Sequence, residues 1–140
     1  INDADGRYIE FAKATFPKRS SLRNLKIVLD CAHGAAYKVA PLVFKELDAE
    51  VHVFGNHPNG LNINHEVGSL HPETAQKGVI DLKADIGIAL DGDGDRVILI
   101  DENAQVLDGA TILAICARDM QQRGELRNNR VVSTVMSNLG

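Results

Sequence analysis

Short apolar runs alternate with segments of helical periodicity along this chain, and the alternation limits the folds open to it. Four runs are short and apolar and contain β-branched residues, as buried strands do. They are residues 25–29, 51–54, 86–90 and 97–100. Apolar residues at helical spacing predict helices at residues 6–15, 36–47 and 72–82 and from residue 108 onwards. This order of strands and helices indicates an α/β protein.

The chain is predicted to hold one central domain and parts of two neighbours. The first helix stops before Pro17, because a proline disfavours helix at the residue before it, and residues 17–21 are polar and basic, as in a linker. Val131, Val132 and Val135 predict one more strand near the other end. We therefore expect a helix and linker of a preceding domain at residues 1–21, an α/β domain at 22–107 and the N-terminal part of a following domain at 108–140. Because the sequence opens with isoleucine rather than methionine, we expect a piece of a longer protein.

Charge, hydropathy and cysteine usage exclude several classes of function. The formal net charge of −4 argues against a nucleic-acid-binding surface. No apolar stretch approaches the length that spans a bilayer, so no membrane partner is expected. Cys31 and Cys116 form no CxxC pair, which favours a reducing, cytoplasmic location and a buried packing role for each thiol.

Three aspartates alternate with two glycines directly after the predicted strand at residues 86–90, in the order Asp91-Gly92-Asp93-Gly94-Asp95-Arg96. Glycines permit tight backbone bends, so the three acids can converge on one point. Converging carboxylates repel one another unless a cation neutralises them, and hard cations such as Mg²⁺ prefer oxygen ligands. We therefore predict that Asp91, Asp93 and Asp95 hold Mg²⁺. Arg96 can offer its guanidinium to a phosphate beside the metal.

Two other kinds of site fit part of this pattern. In a calcium-binding EF-hand loop the aspartates would take the first, third and fifth ligand positions and Glu102 the last. Arg96, however, stands where that loop requires glycine, and both flanks are predicted strands rather than helices. A haloacid-dehalogenase-type phosphatase also places Asp-x-Asp after a strand, but it expects threonine or valine where this chain has Asp95. A solvated turn would need neither three acids nor an arginine. Metal binding is the interpretation that fits the whole hexapeptide.

Four stretches of the sequence together resemble one known family. The hexapeptide at residues 91–96 looks like the metal-binding loop of the α-D-phosphohexomutase superfamily. Further stretches resemble its bacterial phosphoglucosamine mutase branch: residues 30–37 (DCAHGAAY), residues 60–64 (GLNIN) with 68–73 (GSLHPE), and residues 132–138 (VSTVMSN). The likeness covers essentially the whole chain.

The resemblance implies a four-domain enzyme that interconverts glucosamine 6-phosphate and glucosamine 1-phosphate, on the route to UDP-N-acetylglucosamine and the cell wall. A phosphoserine would donate its phosphoryl group through a bisphosphorylated intermediate. Asp91, Asp93 and Asp95 would hold the Mg²⁺ that coordinates it, and Arg96 would be a catalytic residue beside the transferring phosphate. Implied partners are the hexosamine phosphate and the remaining domains of the enzyme, with a homodimer of the intact protein left open. The implied fold is a three-layer α/β/α domain with a mixed sheet, preceded by a linker helix and followed by the start of a further α/β domain.

The residues outside these motifs bear on the activity of the chain by itself and on the sugar it acts on. None of the serines stands in the family's Ser-His-Asn nucleophile motif, so the chain by itself is expected to be inactive. Alternatives are a mutase of the same superfamily that acts on glucose or mannose phosphates, and a non-catalytic module that binds divalent cations. Asn62 and Asn64 are given no role in the site. Turn or capping roles are expected for the histidines at positions 33, 57, 65 and 71.

Overall fold

The computed structural model describes residues 3–135, which contain four α-helices and one five-stranded sheet. The helices are α1 (Ala4–Ala14), α2 (Val39–Glu46), α3 (Glu73–Leu82) and α4 (Gly109–Gln122). The strands are β1 (Lys26–Asp30), β2 (Glu50–Phe54), β3 (Ile86–Leu90), β4 (Val97–Ile100) and β5 (Val106–Leu107), and their order across the sheet is β2-β1-β3-β4-β5. β1 is parallel to β2 and β3, whereas β3 and β4 are antiparallel. The predicted α/β fold with a mixed sheet is confirmed.

The sheet is covered on both faces, which gives the domain its three α/β/α layers. Successive strand residues point to opposite faces, so Val28 of β1 joins one hydrophobic core and Leu29 the other. Val28 packs with Val79 of α3, and Leu29 packs with Phe44 of α2. Burying a side chain of this size stabilises a protein by about 1.5–3 kcal/mol. The two helices therefore cover β1 on both faces, and because β1 is parallel to β3, their carboxyl ends lie at the same edge of the sheet.

Local signals at the helix starts agree with the predicted elements. Pro72 precedes α3, and Asp108 caps α4 by accepting a hydrogen bond from the Thr111 amide at 2.7 Å. Pro41 lies in the first turn of α2, where its missing amide costs no hydrogen bond. The residues before α2 form a separate 3₁₀ turn, Ala35–Tyr37. The helical spacing predicted over residues 36–47 is therefore divided between a short turn and a helix that begins close to the proline.

The chain divides into two compact units, Ile1–Val106 and Leu107–Gly140. Helix α1 belongs to the first unit, where the Lys13 Nζ lies 2.6 Å from a carboxylate oxygen of Glu46 on α2. In the second unit α4 buries none of its side chains. The division into residues 1–21, 22–107 and 108–140 stays a prediction. No helix in the described part of the chain has the length and apolar character to cross a membrane.

Two local predictions differ from the structure. Residues 131–134 form no strand and join no sheet, because an apolar β-branched run becomes a strand only through pairing. The rest of the motif that begins at Val132 lies outside the described residues. β5 was not predicted, since two residues carry no alternating pattern.

The buried packing role predicted for both cysteines holds for one of them. Cys116 is exposed rather than buried. Cys31 is fully buried, and this burial raises the pKa of its thiol to about 12.

Candidate metal centre

The six residues from Asp91 to Arg96 form a tight hairpin loop, here called the carboxylate loop, between β3 and β4. The Asp91 amide donates to the Arg96 carbonyl at 3.3 Å and closes the loop. The Gly94 amide donates to the Asp91 carbonyl at 3.1 Å, and Gly94 has a φ of +76°, which glycine adopts without strain. The loop follows the carboxyl end of β3. It therefore lies at the edge of the sheet where the parallel strands β1, β2 and β3 all end.

The carboxylate loop brings its three aspartates together. One carboxylate oxygen from each of Asp91, Asp93 and Asp95 lies within 4.8 Å of the others. Among the described residues, this is the one group of three or more histidine, cysteine or acidic side chains that could share an ion. Asp91 is only 1% exposed, whereas Asp93 and Asp95 face solvent. An all-carboxylate donor set that is open on one side suits a hard divalent cation with positions left for water or phosphate.

Asp91 and Arg96 form the fixed part of the loop. The Arg96 backbone amide donates to Asp91 Oδ1 at 3.0 Å, and the Arg96 Nε donates to Asp91 Oδ2 at 2.7 Å. These two hydrogen bonds hold the pKa of the Asp91 carboxyl well below its usual range. The pKa of Asp95 is raised, because its carboxyl shares a hydrogen bond with Asp91 and lies beside the charge of Asp93. A bound cation would relieve this concentration of negative charge.

The turn after β1 packs on the carboxylate loop backbone to backbone. The Ala35 amide donates to the Gly92 carbonyl at 2.7 Å. A Cβ on Gly34 would lie 2.6 Å from the Gly92 Cα, and real Cβ atoms do not come so close. Position 34 therefore requires glycine, for contact between loops rather than for a special φ.

The segment between β2 and α3, here called the wrapping segment (residues 55–70), contacts the carboxylate loop from another direction. The Ser69 amide donates to the Leu90 carbonyl at 2.9 Å, directly before the first aspartate. A Cβ on Gly92 would lie 2.6 Å from the Ile63 side chain. The Asn64 amide donates to the Ala32 carbonyl at 2.9 Å and joins the wrapping segment to the turn after β1. The metal loop is thus held between two neighbouring segments.

The remaining sequence candidates have structural contacts. The Asn62 side chain donates to the His57 carbonyl at 3.0 Å and accepts from the Asn59 amide at 2.9 Å, so it organises its own loop. His33 accepts a hydrogen bond from the His57 amide through Nδ1 at 3.1 Å. Glu102 lies beyond β4, so a strand occupies the middle of the segment that an EF-hand would use as its calcium loop.

Asp30 and Gly68 are part of this region, and the sequence interpretation gave neither of them a role. Asp30 is the last residue of β1 and is 0% exposed. Its Oδ1 accepts from the Ala32 amide at 2.9 Å and its Oδ2 accepts from the Gly68 amide at 2.8 Å. The available sequence signal was an acid placed directly after a buried apolar run, where a charge is costly unless it is paired.

Comparison with known proteins agrees with the geometry. Residues 6–105 match the family described as phosphoglucomutase/phosphomannomutase, alpha/beta/alpha domain II. The chain is 74% identical to a phosphoglucosamine mutase of Protochlamydia amoebophila and 64% identical to one of Chlamydia abortus. Each likeness covers 100% of this chain and 31% of the relative, so the chain spans about a third of the length of these proteins.

Two crystal structures have the same fold. A phosphoglucomutase/phosphomannomutase family protein of Burkholderia thailandensis is 28% identical, with a TM-score of 0.72 over 86% of this chain and 26% of that one. The N-acetylphosphoglucosamine mutase of Aspergillus fumigatus, solved with GlcNAc-6P and magnesium, gives a TM-score of 0.61 over 91% of this chain and 27% of that one. At 18% identity the second likeness establishes the fold alone. The chain belongs to the phosphoglucomutase/phosphomannomutase family and contains its α/β/α domain II.

Proposed function

We propose that this chain is the magnesium-binding domain of a phosphoglucosamine mutase, an enzyme that interconverts glucosamine 6-phosphate and glucosamine 1-phosphate. The observation that carries the proposal is the convergence of Asp91, Asp93 and Asp95 within 4.8 Å at the carboxyl edge of the sheet. The phosphoglucosamine mutases that align with the chain over its full length support the choice of reaction.

In this proposal the three aspartates hold Mg²⁺, which supplies charge neutralisation for a phosphoryl group when it is bound. Asp91 is anchored by Arg96, so one ligand is fixed before the metal arrives, whereas the exposed Asp93 and Asp95 adjust to it. Arg96 uses its Nε on Asp91, and its side chain is 61% exposed. In this proposal the outer nitrogens of the guanidinium donate to a phosphate beside the metal.

The rest of the reaction would use other parts of the intact enzyme. The phosphoserine that donates the phosphoryl group and the loops that select the sugar are assigned to domains outside these residues. In this scheme a bisphosphorylated intermediate returns its other phosphate to the serine. The domain described here contributes the charge that makes phosphoryl transfer possible. The homodimer and the cytoplasmic location stay predictions.

A chimeric enzyme tests the proposal. The 140 corresponding residues of the Protochlamydia amoebophila phosphoglucosamine mutase are replaced by this chain, and turnover of glucosamine 6-phosphate is measured with Mg²⁺ and after chelation. We expect activity close to that of the host enzyme and its loss on chelation. A second chimera uses the Burkholderia thailandensis protein as host, with glucose and mannose 6-phosphates as substrates.

The two chimeras separate the alternatives. Because the host domains select the sugar, activity in the second host alone would mean that this domain fits a mutase for neutral sugars, and it would overturn the assignment to glucosamine phosphate. Failure of both chimeras, with Mg²⁺ binding retained by the isolated chain, would favour the non-catalytic module. Loss of activity with no Mg²⁺ binding would overturn the metal site itself.

Replacing Arg96 by lysine in the first chimera is expected to lower kcat about 100-fold, in the range seen for loss of one transition-state donor. Lysine keeps the positive charge, but it lacks the planar fork with which arginine binds Asp91 through Nε and presents its outer nitrogens to a phosphate. The thermal midpoint should change little. The measurement is steady-state turnover together with thermal unfolding.

The matched control is Arg123→Lys on α4. Arg123 also donates through its Nε to an aspartate, Asp119, at 2.9 Å. The control removes the same kind of contact away from the carboxylate loop, and turnover should stay unchanged. Equal turnover of the Arg96→Lys and Arg123→Lys enzymes would remove Arg96 from the mechanism.

A further inference from the structure

The carboxylate of Asp30 is buried without a cation beside it. The side chain is 0% exposed, and among the ion pairs of the described residues none includes Asp30. Its oxygens accept hydrogen bonds from two backbone amides, those of Ala32 and Gly68. A buried acid with this arrangement is expensive for folding alone, because apolar residues of the same size would fill the space at lower cost.

The two amides belong to the two segments that hold the carboxylate loop. From Ala32 the chain continues to Ala35, whose amide donates to Gly92 inside the loop at 2.7 Å. From Gly68 it continues to Ser69, whose amide donates to Leu90 directly before the loop at 2.9 Å. Asp30 is therefore connected to each side of the loop through one hydrogen bond of its own, a few residues of chain and one further backbone hydrogen bond.

The backbone near these amides adopts conformations that need support. Ala32 and His33 have φ values of 54° and 50°, and Gly68 has a φ of 81°. Two consecutive non-glycine residues in the left-handed region are strained, and such conformations persist only where their surroundings hold them. The hydrogen bond from the Ala32 amide to Asp30 is one such restraint, because it closes the turn across the strained residue.

We propose that Asp30 is a positioning residue for the metal site: its carboxylate joins the turn after β1 to the wrapping segment and so sets the carboxylate loop in the geometry that binds Mg²⁺. The inference rests on the proposed magnesium site. Among the described residues, the side chain of Asp30 makes its hydrogen bonds to Ala32 and Gly68 and none to the three metal-ligand aspartates, so it acts on them through Gly92 and Leu90. By linkage, metal binding must in turn stabilise the Asp30 hydrogen bonds.

The test is the Mg²⁺ affinity of the Asp30→Asn chain, measured by titrating the 140-residue protein with Mg²⁺ and following backbone amide resonances of the carboxylate loop. An asparagine has the same shape, but its side-chain oxygen can accept only one of the two hydrogen bonds. Its side-chain NH₂ group is a donor, so it cannot accept from the other backbone N–H. We expect affinity to fall about 10-fold, as for groups that orient metal ligands from outside the coordination sphere.

Two control variants separate positioning from general stability. Asp85→Asn makes the same chemical change where an aspartate accepts from the Lys26 amide at 2.7 Å, at the opposite edge of the sheet. Val79→Ala opens a cavity in the core beside α3 and lowers stability without contacting either segment. Both should bind Mg²⁺ with wild-type affinity while folded. Wild-type affinity in the Asp30→Asn chain would overturn the inference and leave the metal site standing.

A second measurement decides the matter if Asp30→Asn does not fold. Hydrogen exchange of the Ala32 and Gly68 amides is measured in the wild-type chain with and without Mg²⁺, against the remote Ala84 amide, which is bonded to the Val79 carbonyl. Added protection at Ala32 and Gly68 beyond that at Ala84 is the expected result. Equal changes at all three amides would overturn the inference, and a wild-type chain that binds no Mg²⁺ would overturn the proposed site and the inference with it.

Discussion

Replacing Asp93 by asparagine is expected to weaken Mg²⁺ binding by the 140-residue chain about 30-fold, the loss from removing one unit charge about 4 Å from a divalent ion in water-like surroundings. Asp93 is exposed, and within the carboxylate loop its charge also repels that of Asp95. The substitution relieves this repulsion, which offsets a small part of the loss. The side chain is close in size to asparagine, and folding should be little affected. Isothermal titration or amide resonance shifts measure the affinity, and unfolding curves measure the stability.

The matched control for this experiment is Glu102→Gln, in the turn between β4 and β5. It removes one carboxylate charge from the acid that an EF-hand loop would use as its last ligand. Because β4 separates Glu102 from the aspartates, we expect wild-type affinity for Mg²⁺. A loss for Glu102→Gln as large as that for Asp93→Asn would favour a calcium-type loop, and an unchanged affinity in Asp93→Asn would remove the carboxylate loop from metal binding.

The elements that could be predicted from sequence are those in which local residue chemistry decides the outcome. The apolar run of β3 ends where Asp91 begins, so the strand and the loop after it are both visible in the order of residues. The cap at Asp108 and the proline before α3 mark two helix starts in the same way. The candidate metal ligands belong to this group, because three acids and two glycines in alternation have few other uses.

The support around the metal loop could not be predicted in the same way. The amides of Ala35, Asn64 and Ser69 make its main hydrogen bonds, and every residue except proline carries such an amide. The residue types in the sequence therefore do not indicate which amides make these contacts. The strand predicted from Val131 is wrong within the described residues for a related reason. A run of β-branched residues favours strand conformation, but it forms a strand only where it pairs with another strand.

Replacing Gly68 by alanine is expected to destabilise the chain by about 3 kcal/mol, as the sum of left-handed strain and overpacking. Gly68 has a φ of +81°, and a Cβ there would lie 2.5 Å from the Ala32 Cβ and 2.6 Å from the Leu90 carbonyl oxygen. Neither neighbour can rotate away, because one is a Cβ and the other is strand backbone. The thermal midpoint should fall by about 10 °C for a chain of this size. Thermal and denaturant unfolding followed by circular dichroism measure the change.

Gly60 separates the two causes, because it has nearly the same positive φ as Gly68 without its crowding. Its φ is +86°, and a Cβ there would meet nothing within 4 Å. Gly60→Ala should therefore cost about 1 kcal/mol, from left-handed strain alone. The difference between the two variants measures how tightly the wrapping segment packs on the turn after β1 and the end of β3. Equal losses for Gly60→Ala and Gly68→Ala would mean that the close contact at Gly68 relaxes at no cost, and that the wrapping segment does not hold the carboxylate loop in place.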